Sequence, residues 1–288
     1  TGEILAEIAD GTEQDGVEAL RAAAAAQGAL QAMTPTERAR LLRRVETELR
    51  DRIEEFALLI TAEMGKALPE ARAEVTYSAD FFGWFADEAV RVAGDYRLSP
   101  NGSTRILVSH KPVGPCLLIT PWNFPFWILS QKLPFALAAG CTVVIKPSEM
   151  TPTSTVMMGE LLIEAGLPAG VCNIVLGHGQ PVGSLMSTHK DVDMVTFTGS
   201  TAVGKLITQA ASGTLKKVAL ELGGKNPQVI CPDADLDSAA DAVTFGVYFN
   251  VGQCCNSSSR IIVHEDIAED FVRRVVALSR KVKFGDPL

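Results

Sequence analysis

The sequence predicts an α/β fold: a doubly wound parallel sheet followed by the first part of a second α/β domain. Three observations predict it. From Cys116 onward, short apolar runs alternate with helical stretches, the rhythm of a parallel sheet covered by helices on both faces. The length of 288 residues corresponds to about two domains, and the 47% apolar content is ample for a core. Finally, the polar and Gly-bearing segments Thr120–Asn123, Lys146–Glu149 and Gly199–Ser200 fall at the carboxyl ends of predicted strands. In open parallel sheets that is where ligands sit.

Taken in order, residues 13–93 read as helical. Ala is dense at 22–26, and Thr34-Pro35-Thr36-Glu37 is a helix start with Pro in the first turn and Glu following. Leu41, Leu42, Val45 and Leu49 recur at helical spacing. Gly65 and Pro69 mark a break before the next helix. Phe81, Phe82, Trp84 and Phe85 form an aromatic cluster expected in the core. Residues 104–111 read as a strand isolated between turn residues, which suggests pairing outside its own sheet. Cys116–Ile119, Cys141–Ile145, Val171–Leu176, Met194–Phe197 and Val218–Leu222 read as the strands of the parallel sheet. Helices are expected after Phe126 and after Pro152. Gln228–Cys231 opens a second unit, with a helix near 236–250, a strand at 260–264 and a final helix at 267–283.

Charge and composition exclude several function classes. Against 26 Lys and Arg stand 34 Asp and Glu, a net charge of −8 with no basic block, which argues against nucleic acid or an anionic membrane as partner. No apolar run reaches the roughly 18 residues of a membrane span. Thr1-Gly2-Glu3 carries no basic segment leading into an apolar one, so no secretory signal is expected. Of the six Cys, Cys116, Cys141, Cys172 and Cys231 sit singly in apolar stretches and read as small buried residues. Without Cys-x-x-Cys, and with only four scattered His, no metal site is expected. The expected compartment is reducing, hence cytoplasmic.

Five segments could carry chemistry. In Asn250-Val251-Gly252-Gln253-Cys254-Cys255-Asn256, a Cys just past a helix end is reachable by substrate. It is either a nucleophile, given thiolate character, or an inert core residue. In Leu220-Glu221-Leu222-Gly223-Gly224-Lys225, a carboxylate at a strand end is either a general base raised by burial or the partner of a Lys. Thr120-Pro121-Trp122-Asn123-Phe124-Pro125 holds an amide on a backbone stiffened by proline, an oxyanion donor or an ordinary turn residue. Lys146-Pro147-Ser148-Glu149 offers a cation and a carboxylate for ribose hydroxyls, or is a polar loop. Phe197-Thr198-Gly199-Ser200 leads into a helix whose first N–H groups suit a pyrophosphate or are capped by Ser200. Gly177–Gly183 has one residue too many for the dinucleotide fingerprint and reads as a turn, with His178 at the surface.

Together and in this order, these motifs resemble the aldehyde dehydrogenase superfamily. Thr-Pro-Trp-Asn-Phe-Pro, Lys-Pro-Ser-Glu, Phe-Thr-Gly-Ser, Glu-Leu-Gly-Gly-Lys and Gly-Gln-Cys-Cys all match, as does the 34-residue separation of Glu221 from Cys255. The resemblance implies oxidation of an aldehyde to a carboxylic acid with NAD, or with NADP as the alternative. Cys255 is then the nucleophile, Asn123 with the Cys255 N–H the oxyanion hole, and Glu221 the base for hydrolysis. The implied cofactor residues are Ile119, Thr120, Trp122, Lys146, Ser148, Glu149, Gly199, Ser200, Gly204 and Leu222. Glu149 disfavours a 2′-phosphate. The retained Glu221 favours hydrolysis over transfer to coenzyme A.

The resemblance also implies domain boundaries. Residues 1–95 and 113–223 form the cofactor domain, 96–112 an oligomerisation strand, and 224–288 the beginning of the catalytic domain. A homodimer or homotetramer is expected. The family pattern continues past the point that matches Leu288, through a Glu-Ile-Phe-Gly-Pro motif, so a longer chain is expected. The motifs look most like the semialdehyde and betaine-aldehyde branches. Two other readings are a catalytically incomplete nucleotide-binding fragment and a cofactor-independent esterase using the same Cys255.

Overall fold

Two capping boxes start the chain's helical segment. In the computed structural model, which describes residues 4–288, Thr12 and Asp15 cap helix α1 (Glu13–Ala32) reciprocally, and Thr34 and Glu37 do the same for α2 (Pro35–Asp51). The stripe Leu41, Leu42, Val45 and Leu49 on α2 is buried as its spacing predicts. Helix α3 (Ile53–Met64) ends at Gly65 with φ +87°, a left-handed stop that Gly adopts without steric cost. The break runs through Lys66 and Ala67 into α4 (Leu68–Ala89), where Pro69 sits harmlessly in the first turn. Thr1–Glu3, read above for a signal, lie outside the described residues.

Strand β1 (Asp95–Leu98) pairs antiparallel with β2 (Arg105–Val108) in a two-stranded ribbon. The strand expected at 104–111 is therefore shorter and has a local partner. It stops at Val108, which pairs with Asp95, the first residue of its partner strand.

The central sheet holds five parallel strands: β3 (Cys116–Ile119), β4 (Val143–Lys146), β5 (Cys172–Ile174), β6 (Met194–Gly199) and β7 (Lys217–Leu222), in the order β5-β4-β3-β6-β7. Period-two alternation buries both faces. Cys116, Leu118, Val143 and Ile145 face a core built with α2, α3, α4, α5 (Trp127–Ala139) and α6 (Thr153–Glu164). Leu117, Val144, Val195 and Phe197 face Leu20 and Ala23 of α1, Met186 of α7 (Ser184–Thr188) and Ile207 of α8 (Thr201–Ser212). The double winding expected from the strand–helix alternation is present. A second, smaller parallel sheet pairs β8 (Pro227–Ile230) with β9 (Arg260–Val263). It packs on α9 (Leu236–Tyr248) and α10 (Glu265–Ser279) through Ile230, Ala240, Val243 and Phe271.

Two core expectations need correction. Of the aromatic cluster only Phe82 is fully buried; Trp84 is 66% exposed, because it lies on the outer face of α4. Of the four single cysteines, Cys116 and Cys141 are buried and Cys172 half-buried, but Cys231 is exposed where the chain turns after β8. Among the described residues no helix is long and apolar enough to cross a membrane.

The aromatic pair offers a direct check. Phe82→Ala should lower the unfolding free energy by about 3–5 kcal/mol, whereas Trp84→Ala should stay within about 0.5 kcal/mol of the parent. Urea titrations of the two variants measure both.

Candidate active site

The strand order reverses at β3, which has β4 on one side and β6 on the other. Such a switch point opens a crevice at the carboxyl ends of the strands. Four loops meet there: 120–126 after β3, 199–200 after β6, 221–224 at the end of β7, and 252–256 after α9. They line a cleft of about 540 Å³ to which Trp122, Asn123, Gly199, Ser200, Glu221, Leu222 and Cys255 all contribute. The other candidates lie further along the same edge of the sheet. Ile119 and Thr120 close β3, Lys146 closes β4 and leads into Ser148 and Glu149, and Gly204 lies in the first turn of α8.

The loop bearing Asn123 has no regular structure of its own. It is held from α4. The Glu74 carboxylate, 3% exposed, accepts hydrogen bonds from the N–H groups of Phe126 (3.0 Å) and Trp127 (2.9 Å), capping the start of α5. Its other oxygen pairs with the ammonium of the fully buried Lys66. That ammonium also lies 4.1 Å from the centroid of the Phe124 ring. Burial pushes the Lys66 pKa down, and the charge and hydrogen bond of Glu74 oppose it.

The cysteine loop is braced from two sides. The Asn250 amide donates to the carbonyls of Asn123 (2.8 Å) and Gln253 (3.0 Å), and the Asn123 amide donates to the same Gln253 carbonyl (2.9 Å). The Asn226 amide, just after Gly223-Gly224, donates to the carbonyl of Cys255 (2.8 Å). The two adjacent thiols differ. Cys254 is half-buried, donates to Asn256 Oδ1 at 2.7 Å, and is pushed up in pKa chiefly by burial. Cys255 is exposed and lines the cleft, as does Cys254.

Glu221 faces away from the core that takes Leu220 and Leu222, so the alternation of β7 aims it at the α5 side of the sheet. It is exposed rather than buried, which corrects the expectation that burial prepares it as a base. The reason is its place as the last carboxylate of an edge strand, before two glycines that give no cover. Below it lies Lys132 of α5, 8% exposed and donating to Thr196 Oγ1 at 2.9 Å. Desolvation brings the Lys132 pKa down to about 8, against an opposing pull from the charge of Glu221.

The residues present fit a dinucleotide. Ser200 caps α8 by accepting from the Val203 N–H (3.3 Å), which places the positive end of that helix at the cleft. A Cβ on Gly204 would come 2.8 Å from Leu222 Cδ2, so a larger residue here would make the Leu222 side chain shift. The hydroxyls of Thr120 and Thr198, at the carboxyl ends of β3 and β6, are buried without a hydrogen-bond partner, an arrangement that a polar ligand would satisfy. Lys146 Nζ donates to the Pro147 carbonyl (3.0 Å) and lies 3.8 Å from Glu149, whose other oxygen is 3.7 Å from His178 Nδ1.

Sequence reasoning missed Lys66, Glu74, Lys132, the role of Asn250, and Glu70 of α4, which accepts from the Asn250 N–H at 3.2 Å. Only Lys132 leaves a legible signal, a single charge inside the apolar helix Trp127–Ala139. Its titration yields a prediction. Because the folded value of about 8 lies below the usual 10.5, holding the ammonium costs stability below about 8, and that cost is lifted as pH rises from there towards 10.5. The stability of Lys132→Met relative to the parent should therefore fall between about pH 7 and about pH 10, as urea unfolding at the two values measures.

Comparison with known proteins identifies the family. The model of the aldehyde dehydrogenase family matches residues 1–288. The succinate-semialdehyde dehydrogenase of Paenarthrobacter nicotinovorans is 45% identical over 284 residues, which cover 98% of this chain and 63% of that protein. The crystal structure of an NAD-dependent aldehyde dehydrogenase from Sinorhizobium meliloti superposes with a TM-score of 0.94 at 44% identity, over 97% of this chain and 56% of that one. A betaine aldehyde dehydrogenase from Staphylococcus aureus, solved in complex with NAD+, gives 0.96 at 38% identity over 99% and 57%. The chain thus spans less than two thirds of the length of these relatives. With its whole length matched, and with the loop motifs in their expected order along the chain, the chain belongs to the aldehyde dehydrogenase family.

Proposed function

We propose that the protein oxidises an aldehyde to a carboxylic acid with NAD or NADP, and that residues 1–288 supply its nucleophile, oxyanion donor, base and cofactor cleft. The observation that carries this reading is the convergence of Cys255, Asn123 and Glu221 on one cleft at the switch point of the sheet.

The chemistry follows from the residues. The Cys255 thiolate attacks the aldehyde carbon, forming a C–S bond and moving the carbonyl electron pair onto oxygen. The Asn123 amide and the Cys255 N–H hold that oxyanion, and the braced backbone spares them reorganisation. A bound nicotinamide supplies the hydride acceptor. Loss of hydride leaves a thioester on Cys255. Glu221, open to solvent, takes a proton from water as the water oxygen attacks the thioester carbon, and the C–S bond breaks to return the thiolate and release the acid.

The cofactor preference rests on Glu149, because a carboxylate holding the adenosine ribose would repel a 2′-phosphate, so we favour NAD. Lys146 and Glu149 would hold the adenosine ribose, with Ile119, Thr120, Trp122 and Ser148 along the cleft. The names of the relatives support a semialdehyde or betaine-aldehyde substrate. The β1–β2 ribbon presents Tyr96, Leu98 and Leu107 to solvent, at 61%, 57% and 76% exposure, and would pair protomers into a dimer or tetramer. Six cysteines without a disulfide fit the reducing cytoplasm.

Reduced-cofactor absorbance measured over a panel of aldehydes tests the reading. Aldehyde-dependent NADH formation is expected, and none with any aldehyde would overturn it. Cys255→Ala should abolish turnover. Glu221→Gln should leave a single burst of NADH per site and slow the steady state by about 10²–10⁴-fold, which stopped-flow absorbance resolves.

A further inference from the structure

The Asn123 and Cys255 loops come from parts of the chain more than a hundred residues apart, yet oxyanion stabilisation tolerates little error in their spacing. One side chain spans both. We propose that Asn250 is a positioning residue that sets the separation between the Asn123 amide and the Cys255 thiol; this rests on the reading of Cys255 as nucleophile and Asn123 as oxyanion donor.

Asn250 is fully buried and has φ +54°, and the β-branched Val251 beside it has φ +59°. Two successive non-glycine residues in the left-handed region are costly and persist only where their surroundings over-determine them. Here the surroundings do so. The Asn250 N–H donates to Glu70 Oε2 of α4 (3.2 Å), and its carbonyl accepts from the Gln253 N–H (3.0 Å). Burial raises the Glu70 pKa, and the Asn250 N–H opposes that rise.

Both hydrogens of the Asn250 amide are then used, one on the Asn123 carbonyl and one on the Gln253 carbonyl. The Gln253 carbonyl also takes one hydrogen of the Asn123 amide. Among the described residues, the other hydrogen of that amide has no protein acceptor, and Asn123 lines the same cleft as Cys255. Asn250 thus fixes the backbone of the donor and the carbonyl two residues before the nucleophile, while standing outside the residues that line the cleft.

A double-mutant cycle in the full chain tests the assignment. Asn250→Gly keeps the left-handed backbone accessible and removes the amide. It should lower kcat by about 10–100-fold with aldehyde KM changed less than about threefold. In an Asn123→Ala background the same change should cost less than about threefold, because the donor being positioned is gone. Alkylation of Cys255 by iodoacetamide needs no oxyanion hole and should change less than about threefold, which separates lost positioning from a collapsed loop. Equal losses of kcat in both backgrounds, an unchanged kcat in Asn250→Gly, or alkylation falling in step with kcat would overturn the proposal. Failure of the parent to oxidise any aldehyde would instead overturn the reading on which it rests.

Discussion

The site depends on one buried ion pair. Thr120–Phe126 leaves the sheet at its switch point as irregular chain, and a chain without a ladder has no intrinsic reason to hold still. The Glu74 carboxylate supplies that reason by accepting the first two free N–H groups at the mouth of α5. Such a charge is expensive to bury unless it is paired and fully hydrogen-bonded. Lys66 completes the arrangement, and the Phe124 ring covers its other side. Loss of either partner would strand a charge in the core beside the loop that carries Asn123.

From that pair the constraints spread outward along α4. Glu70, one turn before Glu74, holds the backbone of Asn250, and Asn250 ties the cysteine loop to the Asn123 loop. Asn226 adds a third tie, from the Gly223-Gly224 turn to the Cys255 carbonyl. Loops from three separate parts of the chain are thereby referred to one rigid helix. Rigid support of this kind lets a few dipoles stabilise developing charge without moving. The cysteine loop itself stays exposed at its tip, which leaves Cys255 open to the cleft.

The parallel sheet does a different job. Its two apolar cores fix where the strands end, and every strand end delivers a loop to the same edge. Gly204 lies close to β7, where a Cβ would come 2.8 Å from Leu222 Cδ2, and a Cβ on Gly199 would come 2.4 Å from the Phe197 ring of its own strand. Small residues in the segment from β6 into α8 thus leave room for the Phe197 and Leu222 side chains as well as for a ligand.

Much of this was legible in the order of the residues. Period-two and helical patterns are local properties, so α2, the five parallel strands and their connections could be read from neighbouring side chains alone. The motifs around Asn123, Glu221 and Cys255 were legible because each is a short run of unusual residues at a strand or helix end. What sequence could not decide was which charged residues turn inward. Glu70 and Glu74 are four apart on a helix and look like a solvated face, and Lys66 looks like loop polarity after Gly65. Trp84 looks like core and is exposed, while Glu221 looks buried and stands at the rim. Burial is a property of what packs against a face, and those partners lie tens to hundreds of residues away. Only the folded chain brings Glu74 to Phe126 and Asn250 to Asn123, and so only tertiary structure determined which polar groups position the chemistry.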